Sequence, residues 1–465
     1  MSEPAGRRPV VIVSNRGPVS HRFDEAGVPV ARRGAGGLVS GLAPLVRGTG
    51  TEWIAAAIGE ADRAAAVAAD GPAEVEGLRV HLLALDADDF SAAYDTVSNE
   101  ALWFAHHGLF DPVYAPAWPP GWVEGPWAAY RRVNEAFADA VVADAPAEAV
   151  VLVQDYHLCL VARSVRERRP DLRLVHFAHT PFAPPAWLAL LPAAVRAELL
   201  AGLAAHHACG FHTARWAADF LASCAAAEVR TPAMFVAPLG PDAEDLATTL
   251  ASPECAEAGR SLDEVVGDRA FVVRVDRIEL SKNLLRGFDA YAALLDSEPG
   301  RRGRVVFGAF VYPSRVGVAA YDRYRDAVEA RVAEINDRFG TPDWQPIIYD
   351  PNDDYPRSIA ALARADVVLV NPIRDGLNLV AKEAMVISRR DAQLVLSPEA
   401  GAWDELSGGA WRADPFDVGA TARALADALA APPAERARRS ALLRTASQVH
   451  TPSTWLAANL AAAGD

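Results

Sequence analysis

The sequence predicts an α/β protein of two doubly wound parallel-sheet domains. Three observations predict it. Short apolar runs, rich in β-branched residues, recur at Val10 to Val13, Ala149 to Val153, Arg173 to Ala178, Ala270 to Val275, Val305 to Phe310 and Val367 to Val370, with helical patterns between them. Polar groups stand at the carboxyl ends of such runs, among them Arg16, Asp155, His179 and His212, as along the ligand-binding rim of a parallel sheet. At 465 residues the chain exceeds one ordinary core, and a polar, acidic stretch from Gly240 to Asp268 separates two series of strands. The expected domains are 1–240 and 241–445, with 446–465 a C-terminal helix that packs back on the first domain.

Composition limits the partners. Apolar residues make up 51% of the chain and charged residues 23%, the balance of a soluble globular enzyme. A net charge of −15 excludes nucleic acid and anionic membrane as bulk partners, so an anionic substrate must be held by local cations. No apolar run reaches the length of a membrane span, and the N-terminal segment lacks a signal-peptide core. Cys159, Cys209, Cys224 and Cys255 lack CxxC spacing and read as structural thiols of a cytoplasmic protein. No cluster of His, Cys or carboxylates has ligand spacing, so neither metal nor cofactor is expected. Among 45 lysines and arginines, only Lys282 and Lys382 are lysine. Where composition presses so strongly toward Arg, a surviving Lys marks a place the guanidinium fork does not fit.

Taken in order, the strand Val10 to Val13 runs into the turn Ser14-Asn15-Arg16-Gly17-Pro18. Gly34-Ala35-Gly36-Gly37 precedes an apolar helix, Leu38 to Val46. A Gly pair there lets backbone approach a phosphate or a sugar, although the dinucleotide fingerprint is not met. Trp53 lies in a short strand, and Leu78 to Leu83 alternates as another. Tyr94 to Trp103 brings aromatic residues that serve either the core or a sugar-stacking wall. Pro112 to Trp127 is an irregular aromatic loop, and Ala128 to Ala143 is a helix. The next strands deliver Gln154-Asp155-Tyr156-His157 and His179-Thr180; shorter strands follow at Cys209 to Phe211 and Phe235 to Ala237.

In the second half, Ala270 to Val275 ends in Asp276-Arg277-Ile278-Glu279-Leu280-Ser281-Lys282-Asn283. Arg277 and Lys282, two cations of different shape beside a helix start, make a diphosphate clamp. Val305 to Phe310 leads to Tyr312-Pro313-Ser314-Arg315, and Tyr321 to Phe339 is a long charged helix. Strands follow at Ile347 to Tyr349 and Leu394 to Leu396, and a pair of helices after Pro415. The densest stretch runs from Asp366 to Glu383. Its strand, Val367 to Val370, breaks at Asn371-Pro372-Ile373-Arg374-Asp375-Gly376 and resumes as a helix from Leu377 to Met385. The N–H groups of Gly376, Leu377, Asn378 and Leu379 then face an anion at the positive end of the helix dipole. Asp375 stands at the strand's carboxyl end, and Glu383 lies two turns along the helix.

In this order the pieces resemble the trehalose-6-phosphate synthase family, retaining glycosyltransferases of the GT-B type, with two Rossmann-like domains facing a central cleft. The segments that carry the resemblance are SNRGPV at Ser14, GAGGL at Gly34, YDTVSNEALW at Tyr94, QDYHL at Gln154, HTPF at His179, DRIELSKN at Asp276, PSR at Pro313, RDGLNLVAKE at Arg374 and LSPEAGA at Leu396. They span nearly the whole chain. The resemblance implies that Arg16, Arg315, Tyr94 and Trp103 hold an acceptor phosphate, with Trp53 on the same side. Gly36 and Gly37 form a loop over the donor diphosphate, which Arg277 and Lys282 grip. Asp375, Gly376 and the backbone of Leu377, Asn378, Leu379 and Val380 hold the donor sugar and phosphates, and Glu383 takes the ribose hydroxyls. Asp155 and His179 flank the reacting sugars; with Arg277, Lys282 and Asp375 they form the implied catalytic set.

The implied reaction moves glucose from GDP-glucose or UDP-glucose to glucose 6-phosphate with retention, giving α,α-trehalose 6-phosphate. Attack comes from the front face, and the leaving phosphate accepts the acceptor's proton; the protein supplies alignment and charge stabilisation. The partners are these two small substrates; the sequence leaves a homo-oligomer open. Four departures from the family pattern stand out: Gln154 for His, Ile278-Glu279-Leu280 for Leu-Asp-Tyr, Asn283 for Gly and Leu377 for Met. The last three lie near the expected base pocket. Together with a composition of actinobacterial kind, they predict that GDP-glucose is used at least as well as UDP-glucose. Two alternatives fit the scaffold: a pseudo-glycosyltransferase joining a nucleotide-activated cyclitol to a phosphorylated amino-cyclitol, and a non-catalytic sugar-phosphate sensor. The intact DYHL, HTPF and RDGLNL segments favour glycosyl transfer.

Overall fold

The computed structural model describes residues 8–33, 37–315 and 317–464. The chain divides into two compact units, Met1–Pro238 with Pro452–Asp465, and Leu239–Thr451. Strands of the first unit are β1 (Val10–Ser14), β2 (Val19–Phe23), β3 (Pro29–Arg33), β4 (Glu52–Ala56), β5 (Ala73–Val75), β6 (Leu78–Leu83), β7 (Val150–Gln154), β8 (Arg173–Ala178), β9 (Ala208–Phe211) and β10 (Ala233–Val236). Eight of them form one sheet in the order β10-β9-β8-β7-β1-β4-β6-β5, while β2 and β3 pair as a separate hairpin. Every ladder of the large sheet is parallel except that of β5, which runs antiparallel to β6 at the edge. Most central strands are apolar on both faces because helices cover both, so β7, for example, is buried along its whole length.

The second unit holds β11 (Ala270–Ile278), β12 (Val305–Pro313), β13 (Ile347–Asp350), β14 (Val367–Val370), β15 (Gln393–Leu396) and β16 (Trp411–Arg412). They form one all-parallel sheet in the order β13-β12-β11-β14-β15-β16. Each sheet reverses its direction of growth at its middle. Chain order runs outward from β1 to β4 on one side and from β7 to β10 on the other; in the second unit the reversal falls between β11 and β14. Crevices at such switch points bind ligands in doubly wound sheets. Arg16 follows β1 and Asp155 follows β7; Lys282 follows β11 and Asp375 follows β14.

Three expectations need correction, and one element had no sequence reading. The polar stretch from Gly240 to Asp268 is mostly helical, Ala243–Leu250 and Pro253–Val266. Asp242 and Ser252 cap these helices through their side chains, Pro253 opens the second, and Leu246, Leu262 and Val266 are buried. The strand read to Val275 continues to Ile278, because β12 pairs with it through Pro313. Tyr94 lies in an 11-residue π-helix, Ala92–Leu102, which no sequence periodicity had signalled. The chain re-enters the first unit at Pro452 rather than 446, since the helix Pro433–Ser447 belongs to the second. The last helix, Pro452–Ala462, buries Trp455 with its ring 4.9 Å from that of Phe177. All four cysteines are buried and free. Among the described residues, no helix is long and apolar enough to cross a membrane.

Candidate active site

In the second unit the candidate groups are joined by ion pairs. Lys282 lies in a 3-10 turn, Leu280–Lys282, just beyond β11. Its ammonium is 2.6 Å from Asp375 Oδ2 and 3.5 Å from Asp276 Oδ1. Burial opposes this charge, but the two carboxylates outweigh it and raise the lysine's pKa above its usual value. Below it, fully buried Arg274 donates to Asp276 Oδ2 at 3.0 Å, to Asn371 Oδ1 at 2.8 Å and to the Lys282 carbonyl, tying β11 to the turn after β14. Arg277 pairs in register with Tyr312 near the end of β11.

The turn after β14 differs from its sequence reading. The helix begins at Leu379, not Leu377, because Asn378 is its cap: it adopts φ 77° and its Oδ1 accepts from the Ala381 N–H. Asn378 Nδ2 also donates to Asp375 Oδ2 at 3.1 Å. Gly376 and Leu377 therefore precede the helix, and Val380 falls in its first turn. The LSPEAGA segment clamps this turn through backbone: Asp375 N–H to Glu399 O, Gly401 N–H to Asp375 O and Ala402 N–H to Leu377 O. A Cβ on Gly401 would stand 2.1 Å from the Gly376 carbonyl oxygen, so only glycine lets the segments meet. Glu383 is half-buried; burial, then the charge of Asp245, pushes its pKa up to about 7.

Arg315, expected at the acceptor phosphate, is on this unit and pairs with buried Glu279 and with the Tyr321 hydroxyl. That contact accounts for Glu279, one of the departures from the family pattern. Asn283 is another: it adopts φ 61°, a conformation where Gly is usual and Asn tolerated, and its side chain donates to the Asn371 and Pro415 carbonyls. Ile278 and Leu377 are buried. Lys382 is fully buried as well, bonded to the Leu239 carbonyl and 2.5 Å from Glu405 Oε1. Its Lys-Glu motif therefore pairs a structural lysine with Glu383.

The first unit brings together a more neutral set. Arg16 donates to the Tyr94 hydroxyl at 3.2 Å, which joins the turn after β1 to the π-helix. Trp103 follows that helix and stacks on His107 with ring centroids 3.9 Å apart. Trp53 is buried; its indole N–H donates to Ser14 Oγ at 2.7 Å and so supports the turn that carries Arg16. Asp155 adopts φ 68° and ψ 174°, an extended positive-φ conformation essentially confined to Gly, and its Oδ1 accepts from the His179 N–H. His179 Nε2 is 2.9 Å from Gln154 Oε1, and its Nδ1 is 3.2 Å from His212 Nε2. Burial pushes the His179 pKa down to about 3, so the imidazole is neutral at pH 7. Gln154 thus acts on His179 directly. Gly36 lies outside the described residues; Gly37 opens the helix Gly37–Val46.

The sequence model of Glycosyltransferase family 20 matches residues 8–463. The trehalose-6-phosphate synthase of Mycobacterium sp. strain JLS is 33% identical, over 99% of this chain and 97% of that protein. A bifunctional trehalose-6-phosphate synthase/phosphatase of Thermoproteus tenax is 36% identical over 78% of this chain, which spans 51% of that longer protein. Among solved structures, the E. coli protein bound with UDP-2-fluoro glucose superposes with a TM-score of 0.84, at 27% identity, over 98% of this chain and 99% of that one. A UDP-forming α,α-trehalose-phosphate synthase of Burkholderia xenovorans in complex with glucose 6-phosphate gives 0.83 at 28% identity, over 98% and 100%.

Proposed function

The chain belongs to glycosyltransferase family 20, with the GT-B fold, and we propose that it transfers glucose from a nucleoside diphosphate glucose to glucose 6-phosphate. The product is α,α-trehalose 6-phosphate, formed with retention. The observation that carries this reading is the ammonium of Lys282, held by Asp375 and Asp276 at the strand-order switch of the second unit. A cation fixed before the donor arrives stabilises the charge that grows on a leaving diphosphate and needs little reorganisation. Arg277 adds a second charge, the backbone from Gly376 to Val380 and the Asp375 carboxylate hold the donor sugar and phosphates, and Glu383 takes the ribose.

On the acceptor side, Arg16, with Tyr94 and Trp103, binds the phosphate of glucose 6-phosphate, and Trp53 supports them; Arg315, implied there by the resemblance, is engaged by Glu279 in the second unit. Asp155 and His179 flank the reacting sugars. A histidine neutral down to about pH 3 is no general acid at pH 7. This supports front-face attack, with the leaving phosphate taking the acceptor's proton.

The structure gives Glu279 an ion pair, Asn283 a turn and Leu377 a buried place, and leaves the base of the donor, guanine or uracil, to experiment. The deciding experiment offers GDP-glucose and UDP-glucose to the purified chain with glucose 6-phosphate and identifies the product by NMR. Trehalose 6-phosphate from either donor supports the reading, and the ratio of kcat/KM values assigns the base. No turnover with any glucose donor, with turnover of a nucleotide-activated cyclitol, overturns it.

A further inference from the structure

Among the described residues, one group of three metal-ligating side chains converges, in the first unit and away from the carboxyl-end rim. Glu52 opens β4, His81 lies within β6, and Asp144 ends the helix Pro126–Asp144. The parallel register of β4 and β6 pairs Glu52 with Arg79 and Ile54 with His81, which puts the Glu52 and His81 side chains on one face. The helix end then lowers Asp144 onto that face: its Oδ2 is 2.5 Å from His81 Nδ1. One donor atom from each of the three residues lies within 4.8 Å of the others.

We infer that Glu52, His81 and Asp144 form a binding site for a divalent transition-metal ion, with Zn²⁺ the best match. Three features of the cluster support an ion. First, the Glu52 side chain is 95% buried; Oε2 meets Arg79, whereas Oε1 has no hydrogen-bond partner. A buried carboxylate oxygen left without a partner is costly, and a cation would satisfy it. Second, Asp144 is the last residue of its helix, the end where the dipole disfavours negative charge. Third, two carboxylates and a helix C-terminus face one imidazole and one arginine, and that arginine is half exposed. Ligand atoms on zinc stand about 3.4 Å apart at bonds of about 2.1 Å, so small rotations close the set around an ion, with water as fourth ligand. Imidazole beside carboxylates favours zinc-like ions over Mg²⁺ or Ca²⁺. Arg79 stays on Oε2 when the ion binds.

Such an ion would join the helix Pro126–Asp144 to the β4–β6 edge and would have no part in glucosyl transfer. Sequence spacing could not reveal it, because its members come from three separate elements, with His81 and Asp144 63 positions apart.

The test titrates the full, EDTA-treated chain with Co²⁺ by visible absorption and with Zn²⁺ by calorimetry. One equivalent of Co²⁺ should give ligand-field bands, Zn²⁺ should displace it, and Zn²⁺ should raise the thermal midpoint. His81→Gln and Asp144→Asn should each weaken binding by at least the roughly tenfold that altering even an outer partner of a metal costs. Turnover with glucose 6-phosphate, unchanged in these variants and after EDTA, separates this ion from a catalytic one. Absence of stoichiometric binding to the wild-type chain overturns the assignment, whatever the variants do. Wild-type affinity in a folded Asp144→Asn or His81→Gln chain overturns it too.

Discussion

The two units solve one topological problem with different electrostatics. Both present their candidate groups beyond the carboxyl ends of strands that flank a change in strand order. In the second unit those groups are ion-paired, Lys282 with Asp375, above the pair of Arg274 with Asp276 inside β11. In the first they are an arginine on a phenol, an aspartate at a positive φ and a histidine that burial keeps neutral. The difference fits the two ligands proposed. A diphosphate gains charge as the glycosidic bond breaks and is best met by cations already fixed in place. The sugar of the proposed acceptor presents hydroxyls and weakly polar faces, which neutral donors and aromatic rings suit, while Arg16 would meet its phosphate. On that proposal one scaffold would serve two ligands through the side chains after its central strands.

The comparison breaks first at Arg274. Arg274→Leu would leave Asp276, Asn371 and the Lys282 carbonyl without their donor inside the core. Removing one member of a buried ion pair costs about 3–5 kcal/mol. Urea unfolding of the variant should show that loss, whereas Arg16→Ala should stay within about 0.5 kcal/mol of wild type, as surface changes do. A loss below about 1 kcal/mol for Arg274→Leu would mean that the second unit does not rest on its ion pairs.

Turnover sharpens the contrast. Lys282→Ala and Arg277→Ala should each lose about 2–4 kcal/mol of transition-state stabilisation, read as kcat down by roughly 30- to 1000-fold. Lys282→Arg should also be slow, because the ammonium sits as a point charge between two carboxylates where a planar fork fits poorly. Near wild-type kcat in the alanine variants would refute the clamp; full activity in Lys282→Arg would refute the argument from lysine scarcity.

Removing the first unit's cation should act differently. Arg16→Ala should raise KM for glucose 6-phosphate by the equivalent of about 1.5–3 kcal/mol, the worth of a hydrogen bond to a charged group, and leave the donor KM unchanged. An effect confined to the donor would move Arg16 out of the acceptor site.

The strands and their rims were legible because period and burial leave a direct trace: buried runs such as Val367 to Val370 are apolar throughout. Asp155, Lys282 and Asp375 were legible as polar groups following such runs. What depends on neighbours distant in sequence was not. Glu279 reads as a departure near a base pocket until Arg315 is seen against it, and Asn283 until its φ of 61° is known. The helices between Gly240 and Asp268 were hidden by their acidic outer faces, since only a few inward positions, Leu246, Leu262 and Val266 among them, are buried apolar residues. The π-helix around Tyr94 follows neither period used to read the chain.

The smallest effect concerns Glu383, a carboxylate for which no ion pair is seen among the described residues. Burial, then the charge of Asp245, raises the Glu383 pKa to about 7 from an ordinary 4.5. Between those values the folded chain binds more protons at this group than the unfolded chain, so its contribution to stability falls as pH rises from about 4.5 to 7. Donor binding has the opposite sign. Ribose hydroxyls donate most strongly to an ionised carboxylate, so affinity for the donor should rise with pH through about 7 and level off above it. One pKa unit corresponds to about 1.4 kcal/mol, so a group titrating there changes its ionised fraction roughly tenfold between pH 6 and 8. The donor KM, measured at saturating glucose 6-phosphate, should fall by a comparable factor over that range. Glu383→Gln should flatten the profile and hold KM near its low-pH value, whereas Arg16→Ala should leave the profile's shape intact. A flat wild-type profile, or a slope that survives in Glu383→Gln, would remove Glu383 from the ribose and leave the second unit's recognition to its ion pairs and backbone.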